Sequence, residues 1–169
     1  MAVTYSATTV SDPNGAQGSY PQTLTKGHEG MVGDAQAYVS RSYSNETAAV
    51  VPFGHLVIRD GSATDDGVKL PAGASATDIL GIALSSVAFE KGTDTVTAYS
   101  AEGYPAKERV NVLSKGVVYV FSAHAIALGD AVRVFHTDSA SASSNKGYKG
   151  RFGKTAEAGK TFALSGARW

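Results

Sequence analysis

The sequence predicts an all-β protein: one domain of jelly-roll or β-barrel type, about eight short strands, with an extended N-terminal arm. Three observations predict it. Short apolar runs rich in Val, Tyr, Phe and Thr recur along the chain, which is strand-favouring composition. Nineteen glycines, with abundant Ser, Thr and Ala, punctuate those runs as turn signals. Evidence for helix is thin. At 169 residues the chain fits a single domain that buries roughly 70% of its unfolded surface, enough for a core without staples.

Residues 1–30 form the arm. They are small and polar, carry turn signals at Asp12-Pro13-Asn14-Gly15 and Tyr20-Pro21, and keep no sustained period. Residues 31–169 form the β domain. Its strands are expected at 36–43, half exposed, and at 55–59 (His55-Leu56-Val57-Ile58-Arg59), after the Pro52-Phe53-Gly54 approach. The run 79–84 contains Gly81, which suggests a bulge or a close backbone approach. Residues 95–99 alternate. The runs 110–113 and 117–122 look like consecutive strands around a short turn at Lys115-Gly116. Residues 122–128 suggest one short helical turn, and strands at 131–136, 149–152 and 161–164 close the set. Residues 61–67 and 138–146 read as surface loops by composition.

Charge and composition exclude several functions. Lys plus Arg and Asp plus Glu are 15 each, so there is no basic excess of the kind nucleic-acid binders use. Near-zero net charge favours self-association. With no cysteine there is no disulfide, thiol nucleophile or Cys-ligated zinc. No apolar run is long enough for a membrane helix and no leader is visible, so a soluble protein made in a cytoplasm is expected. In that setting the sequon Asn45-Glu46-Thr47 carries no weight.

Motifs for catalysis or ligation fail one by one. His28, His55, His124 and His136 are scattered without metal-ligand spacing, and His55 and His136 read as solvent-facing strand positions. Gly153-Lys154-Thr155 and Gly159-Lys160-Thr161 resemble the tail of a phosphate loop. The first glycine of each would fall on Tyr148 and Lys154. Asp60, Asp65 and Asp66 share a loop but lack the EF-hand pattern. Gly73-Ala74-Ser75-Ala76-Thr77 misses the last glycine of a nucleophile elbow, and nothing marks Glu102 and Glu108 as a buried acid pair. No catalytic residue, cofactor or metal is therefore expected.

The order of features carries a resemblance. Lys26-Gly27-His28-Glu29-Gly30-Met31-Val32 is followed by Ser40-Arg41-Ser42-Tyr43 and Val51-Pro52-Phe53-Gly54-His55-Leu56-Val57. Then come Ile79-Leu80-Gly81-Ile82-Ala83-Leu84, Val110-Asn111-Val112-Leu113, Gly116-Val117-Val118-Tyr119-Val120 and Leu128-Gly129-Asp130-Ala131-Val132-Arg133-Val134. Gly150-Arg151-Phe152 and Leu164-Ser165-Gly166-Ala167-Arg168-Trp169 end the series. This succession resembles the structural cement proteins that decorate the capsids of tailed bacteriophages. The resemblance implies a jelly-roll or barrel body in the virion. That body would bind the major capsid protein on the outer shell between capsomers and associate as a homodimer or homotrimer. It implies no catalytic residue, nucleic-acid partner or membrane partner. Such proteins usually continue into a further strand past Trp169, so that strand is either supplied otherwise or leaves an open sheet edge. Aromatic groups contribute much of the energy at interfaces, so Tyr5, Tyr20 and Leu24 in the arm, with Trp169, are the candidate contacts to capsid or to other copies. Two other readings are a carbohydrate-binding β-sandwich, which needs exposed aromatics, and a cupin-like enzyme, which needs clustered His and Glu.

Overall fold

A computed structural model describes residues 27–61, 66–73, 78–89, 103–139 and 147–169. Among these residues the fold is all β. Ten strands run in chain order: β1 (Val32–Asn45), β2 (Val51–Pro52), β3 (Leu56–Arg59), β4 (Gly67–Lys69), β5 (Ile79–Ala83), β6 (Gly103–Tyr104), β7 (Arg109–Val118), β8 (Ala131–Phe135), β9 (Phe152–Gly153) and β10 (Thr161–Arg168). The only helical element described is a 3-10 turn at Val87–Phe89.

Five strands close a barrel in the order β1-β4-β3-β5-β7. β1 and β7 form the long antiparallel ribbon, and the parallel contact of β1 with β4 spans only Ser44↔Gly67 and Asn45↔Val68. A three-stranded sheet, β10-β8-β9, and the two-stranded pair β2-β6 complete the body. The fold is thus a barrel, within the architecture expected.

Two apolar clusters explain which strands have which pattern. Val51, Phe53, Val57, Val68, Ala83, Tyr104, Val110 and Val112 form the first. Leu56, Ile58, Val132, Val134, Phe152 and Phe162 form the second, joined by Ile82, Val120, Leu164 and Trp169. Successive side chains on a strand point to opposite faces. β3 therefore sends Val57 to one cluster and Leu56 and Ile58 to the other. That double burial is why 56–58 is an unbroken apolar run.

Asn45 holds the barrel's closing corner. Its fully buried amide nitrogen donates to the carbonyls of Ala49 (2.8 Å), Tyr104 (3.1 Å) and Pro105 (3.0 Å). Its side-chain oxygen accepts from Thr47 Oγ1 at 2.7 Å.

Several expectations change. The runs 110–113 and 117–122 are not two strands about a turn. Residues 109–118 form one strand, because Gly116 takes a positive φ (140°) open to glycine without reversing the chain, and the segments on both sides of it pair with β1 across a register shift. Residues 122–128 hold no helical turn. Ser122 bridges Phe152, and Asp130 Oδ2 accepts from the Ala127 amide at 2.8 Å. The bulge expected at Gly81 is present: its φ is 147°, and the β3–β5 register shifts between Val57 and Ile58. β10 is an edge strand, paired with β8 alone among the described residues. The strand expected at 95–99 and most of the 138–146 loop lie outside the described residues.

Asn45→Ala removes one side chain that satisfies three buried or part-buried carbonyls. A loss of about 2 kcal/mol is expected, at about 1 kcal/mol for each of the amide's two N–H donors, since Ala49 O and Pro105 O keep Thr47 Oγ1 and the Glu108 amide as further partners. Urea unfolding checks this, and an unchanged midpoint would show that the corner closes without it.

Candidate functional site

The body holds residues 27–31 firmly. Gly30 donates its amide to Tyr119 O and Tyr119 donates back to Met31 O, both at 2.9 Å. Ser85 donates to Gly30 O at 2.9 Å, and His28 Nε2 lies 3.2 Å from Ser85 Oγ. Gly27 lies so close over the Tyr119 ring that an added Cβ would sit 2.5 Å from it. Gly30 has φ 81°, and a Cβ there would meet the Ser85 amide nitrogen at 2.6 Å. At Gly30 the positive φ and the backbone contact require glycine, whereas a side chain at Gly27 would have to displace the exposed Tyr119 ring.

An ion pair locks this stretch to the second sheet. The Glu29 carboxylate lies 3.2 Å from the Arg151 guanidinium, whose side chain is only 9% exposed. Arg151 is also set between aromatic faces, 4.5 Å from the Phe121 centroid and 5.2 Å from that of Tyr148. A flat guanidinium suits such stacking while its edge serves a carboxylate. Next to Arg151, Gly150 (φ 88°) covers His55 and accepts the Leu56 amide at 2.8 Å.

His55 corrects an expectation. It is fully buried, and its Nδ1 donates to Phe53 O at 2.9 Å. Burial, with the Arg151 charge nearby, holds its pKa down to about 4. His136 is also buried, stacked on Phe162. Alternation with apolar neighbours suggested exposure, but Gly150 lies over the His55 side chain and the Phe162 ring stacks on that of His136.

The residues noted for chemistry do not converge. His124 stacks on Phe135 and lies 4.0 Å from Glu157, which accepts Ser139 Oγ at 2.6 Å. Asp60 pairs with Lys69 at 3.0 Å, and Asp130 with Lys154 at 3.2 Å. The Ala127 amide and Lys154 hold the Asp130 carboxyl below its usual range. No group of three or more acidic or histidine side chains is placed to hold a metal among the described residues. Of the contact residues, Trp169 packs edge-on against Phe152, 6.3 Å between centroids, and is half-buried. Tyr5, Tyr20 and Leu24 lie outside the described residues.

The ribbon of β1 and β7 presents two different surfaces. Met31, Val117 (58% exposed) and Tyr119 line one face, with Gly33 beside Val117 and Tyr119 leaving them bare. On the other face Gly116 and Val118 border a groove of about 440 Å³ between the barrel wall and β10. Sequence reasoning missed both surfaces and the Arg151–Glu29 lock. The Gly-rich stretch 27–33 was the available signal.

Comparison with known proteins follows the geometry. A family model described as "Structural cement protein (E217 gp24/Pam3 gp6)" matches residues 16–169. No curated protein sequence matches significantly. Among solved structures, a chain of "The capsid of Myoviridae Phage XM1" superposes with a TM-score of 0.60 at 21% identity, covering 89% of this chain and 86% of that one. At that identity the likeness is one of fold.

Two outcomes are expected. Between pH 6.5 and about 4 the unfolded chain protonates His55 and the folded chain does not. The unfolded state then binds more protons, so stability falls as pH falls through this window, by about 3 kcal/mol in all. Urea midpoints at pH 7, 5.5 and 4.5 should show a drop that is flatter in His55→Gln; equal slopes would refute it. Glu29→Gln should raise hydrogen-exchange rates at the amides of Gly30 and Met31 several-fold while leaving those of β8 unchanged. Unchanged exchange at the root would mean that the backbone bonds suffice.

Proposed function

From the premise that this chain belongs to the phage structural cement protein family, a component of the virion, we propose that it stabilises the mature capsid by binding its outer surface between capsomers. The observation that carries this reading is the family match over residues 16–169, which includes the whole barrel body and the arm's root.

The mechanism is adhesive. The body is a stiff wedge, covered on one side of the barrel by a second sheet. The arm reaches from a fixed root, with Tyr5, Tyr20 and Leu24 as its contacts to the major capsid protein or to other copies. Trp169 sits where β10 ends, against the second cluster, and can contact a neighbour only through its exposed edge. Ordering the arm costs on the order of 1–2 kcal/mol per residue in backbone entropy. Backbone hydrogen bonds to a partner's sheet edge are the natural compensation.

A protein that binds the assembled shell and not its separated parts stabilises the shell by mass action, by about 2.7 kcal/mol per site at a hundredfold excess over Kd. A homodimer or homotrimer touching more than one capsomer multiplies this through effective concentration. The shell then resists the outward pressure of packaged DNA without any contact to the DNA. No turnover is required, and the reading is non-enzymatic. A carbohydrate-binding role gains nothing from Trp169, whose ring is packed on Phe152.

Purified protein is expected to cosediment with expanded capsids and to raise their thermal disruption temperature by several degrees. No binding to any capsid shell would overturn the proposal.

A further inference from the structure

The groove behind the ribbon is a gap in a sheet. β5 pairs with β7 only at Ile82↔Leu113 and Ala83↔Val112. Gly81 then bends β5 away, and a Cβ at that position would collide with the Leu113 carbonyl. Residues 114–118 of β7 therefore have no strand beside them on that side among the described residues. Across the groove, β10 leaves β8 after Ala163↔Arg133 and rejoins at Arg168↔Ala131, so residues 164–167 bulge free. The groove is lined by Leu56, Ile82, Leu113, Val118, Leu164 and Ala167, and its one charged lining group is Lys115. An apolar slot with an unpaired strand at its wall is the arrangement that accepts an added strand.

The chain carries a segment suited to it. Residues 2–11, Ala2 through Ser11, contain no charge, glycine or proline and are rich in Val, Thr and Tyr. In an extended chain Val3, Tyr5 and Ala7 share one face. Fifteen residues, 12–26, separate this segment from Gly27. Gly27 lies on Tyr119, whose side chain points to the ribbon face opposite the groove. The tether thus starts on the far face of β7. A formal net charge of zero lets two copies approach without repulsion.

We propose that residues 2–11 of one copy add as a strand along residues 114–118 of β7 in a second copy, with Val3, Tyr5 and Ala7 over the groove. This rests on the reading of the protein as a homo-oligomeric cement, and names the contact that joins its copies.

The absence of cysteine makes the test direct. Full-length Tyr5→Cys and Ser114→Cys chains are mixed and oxidised, with Thr155→Cys replacing Ser114→Cys as control. Mixed dimers well above the Thr155 background are expected. In the Tyr5→Cys, Ser114→Cys double variant, a cross-link found only at single-chain mass would overturn the proposal, because the segment would then fill its own groove. Cross-linking no better than the control would also overturn it. Capsid cosedimentation of the unmodified protein reads the cement role separately: binding kept without the cross-link defeats this inference alone.

Discussion

The barrel is closed by very little. β1 meets β4 through two residues, Ser44 and Asn45, against Gly67 and Val68. A parallel contact this short supplies few ladder hydrogen bonds, with the Ser44 amide donating to Asp66 O at 2.8 Å beside it, and the buried Asn45 amide fixes the same end of β1 from its other side. That one side chain ties the end of β1 to the following turn and to the Tyr104-Pro105 approach into β7. Backbone bonds between Asn45 and residues 107 and 108 add to the same corner. Because the corner holds β1 at its C-terminal end, the N-terminal end is free to run past the barrel with β7 as a two-stranded ribbon. Gly30 and Met31 are hydrogen-bonded to Tyr119 at the end of that ribbon.

The second constraint is the shared wall. β3 is buried on both faces, which joins the barrel interior to the sheet outside it. Polar groups at this seam must be neutral or paired, since an unpaired buried charge costs several kcal/mol. His55 meets the demand by staying neutral above a pKa of about 4. Arg151 meets it through Glu29 and two aromatic faces. The partner of Arg151 belongs to the arm's root. The same ion pair that makes the seam tolerable thus fastens residues 27–31 to the body.

Much of the fold was legible because local patterning and tertiary role agree at β3, β5, β8 and β10. Their Val, Ile, Leu and Phe runs are strands, and the break at Gly81 is a bulge. The failures have physical causes. Lys115-Gly116 looks like a turn locally, yet β1 pairs across it and keeps the chain extended. His55 and His136 looked exposed because a single strand's alternation does not show that a second layer covers it. Asn45 was noted only within a sequon, though its place is a buried corner; the three carbonyls it serves lie up to 60 residues away in sequence. The Arg151–Glu29 pair spans 122 residues, beyond any local signal. Of the contact residues, only Trp169 falls within the described structure, and the exposed ribbon surface had no counterpart in the local patterning.

The distribution of charge bears on how such a protein would hold to a shell. Much of its charge is matched internally: Lys69 with Asp60, Lys107 with Glu46, Lys154 with Asp130, Arg151 with Glu29. Met31, Val117 and Tyr119 form an exposed apolar patch on one face of the ribbon, while Asp34, Arg41, Arg109 and Lys115 remain exposed charges along it. Contacts through that patch do not depend on Coulomb attraction, which falls off within about 8–10 Å at physiological salt. They form more slowly than steered encounters but persist when ionic strength changes. Adhesion through the apolar patch of Met31, Val117 and Tyr119 would therefore be slow to form and little affected by salt.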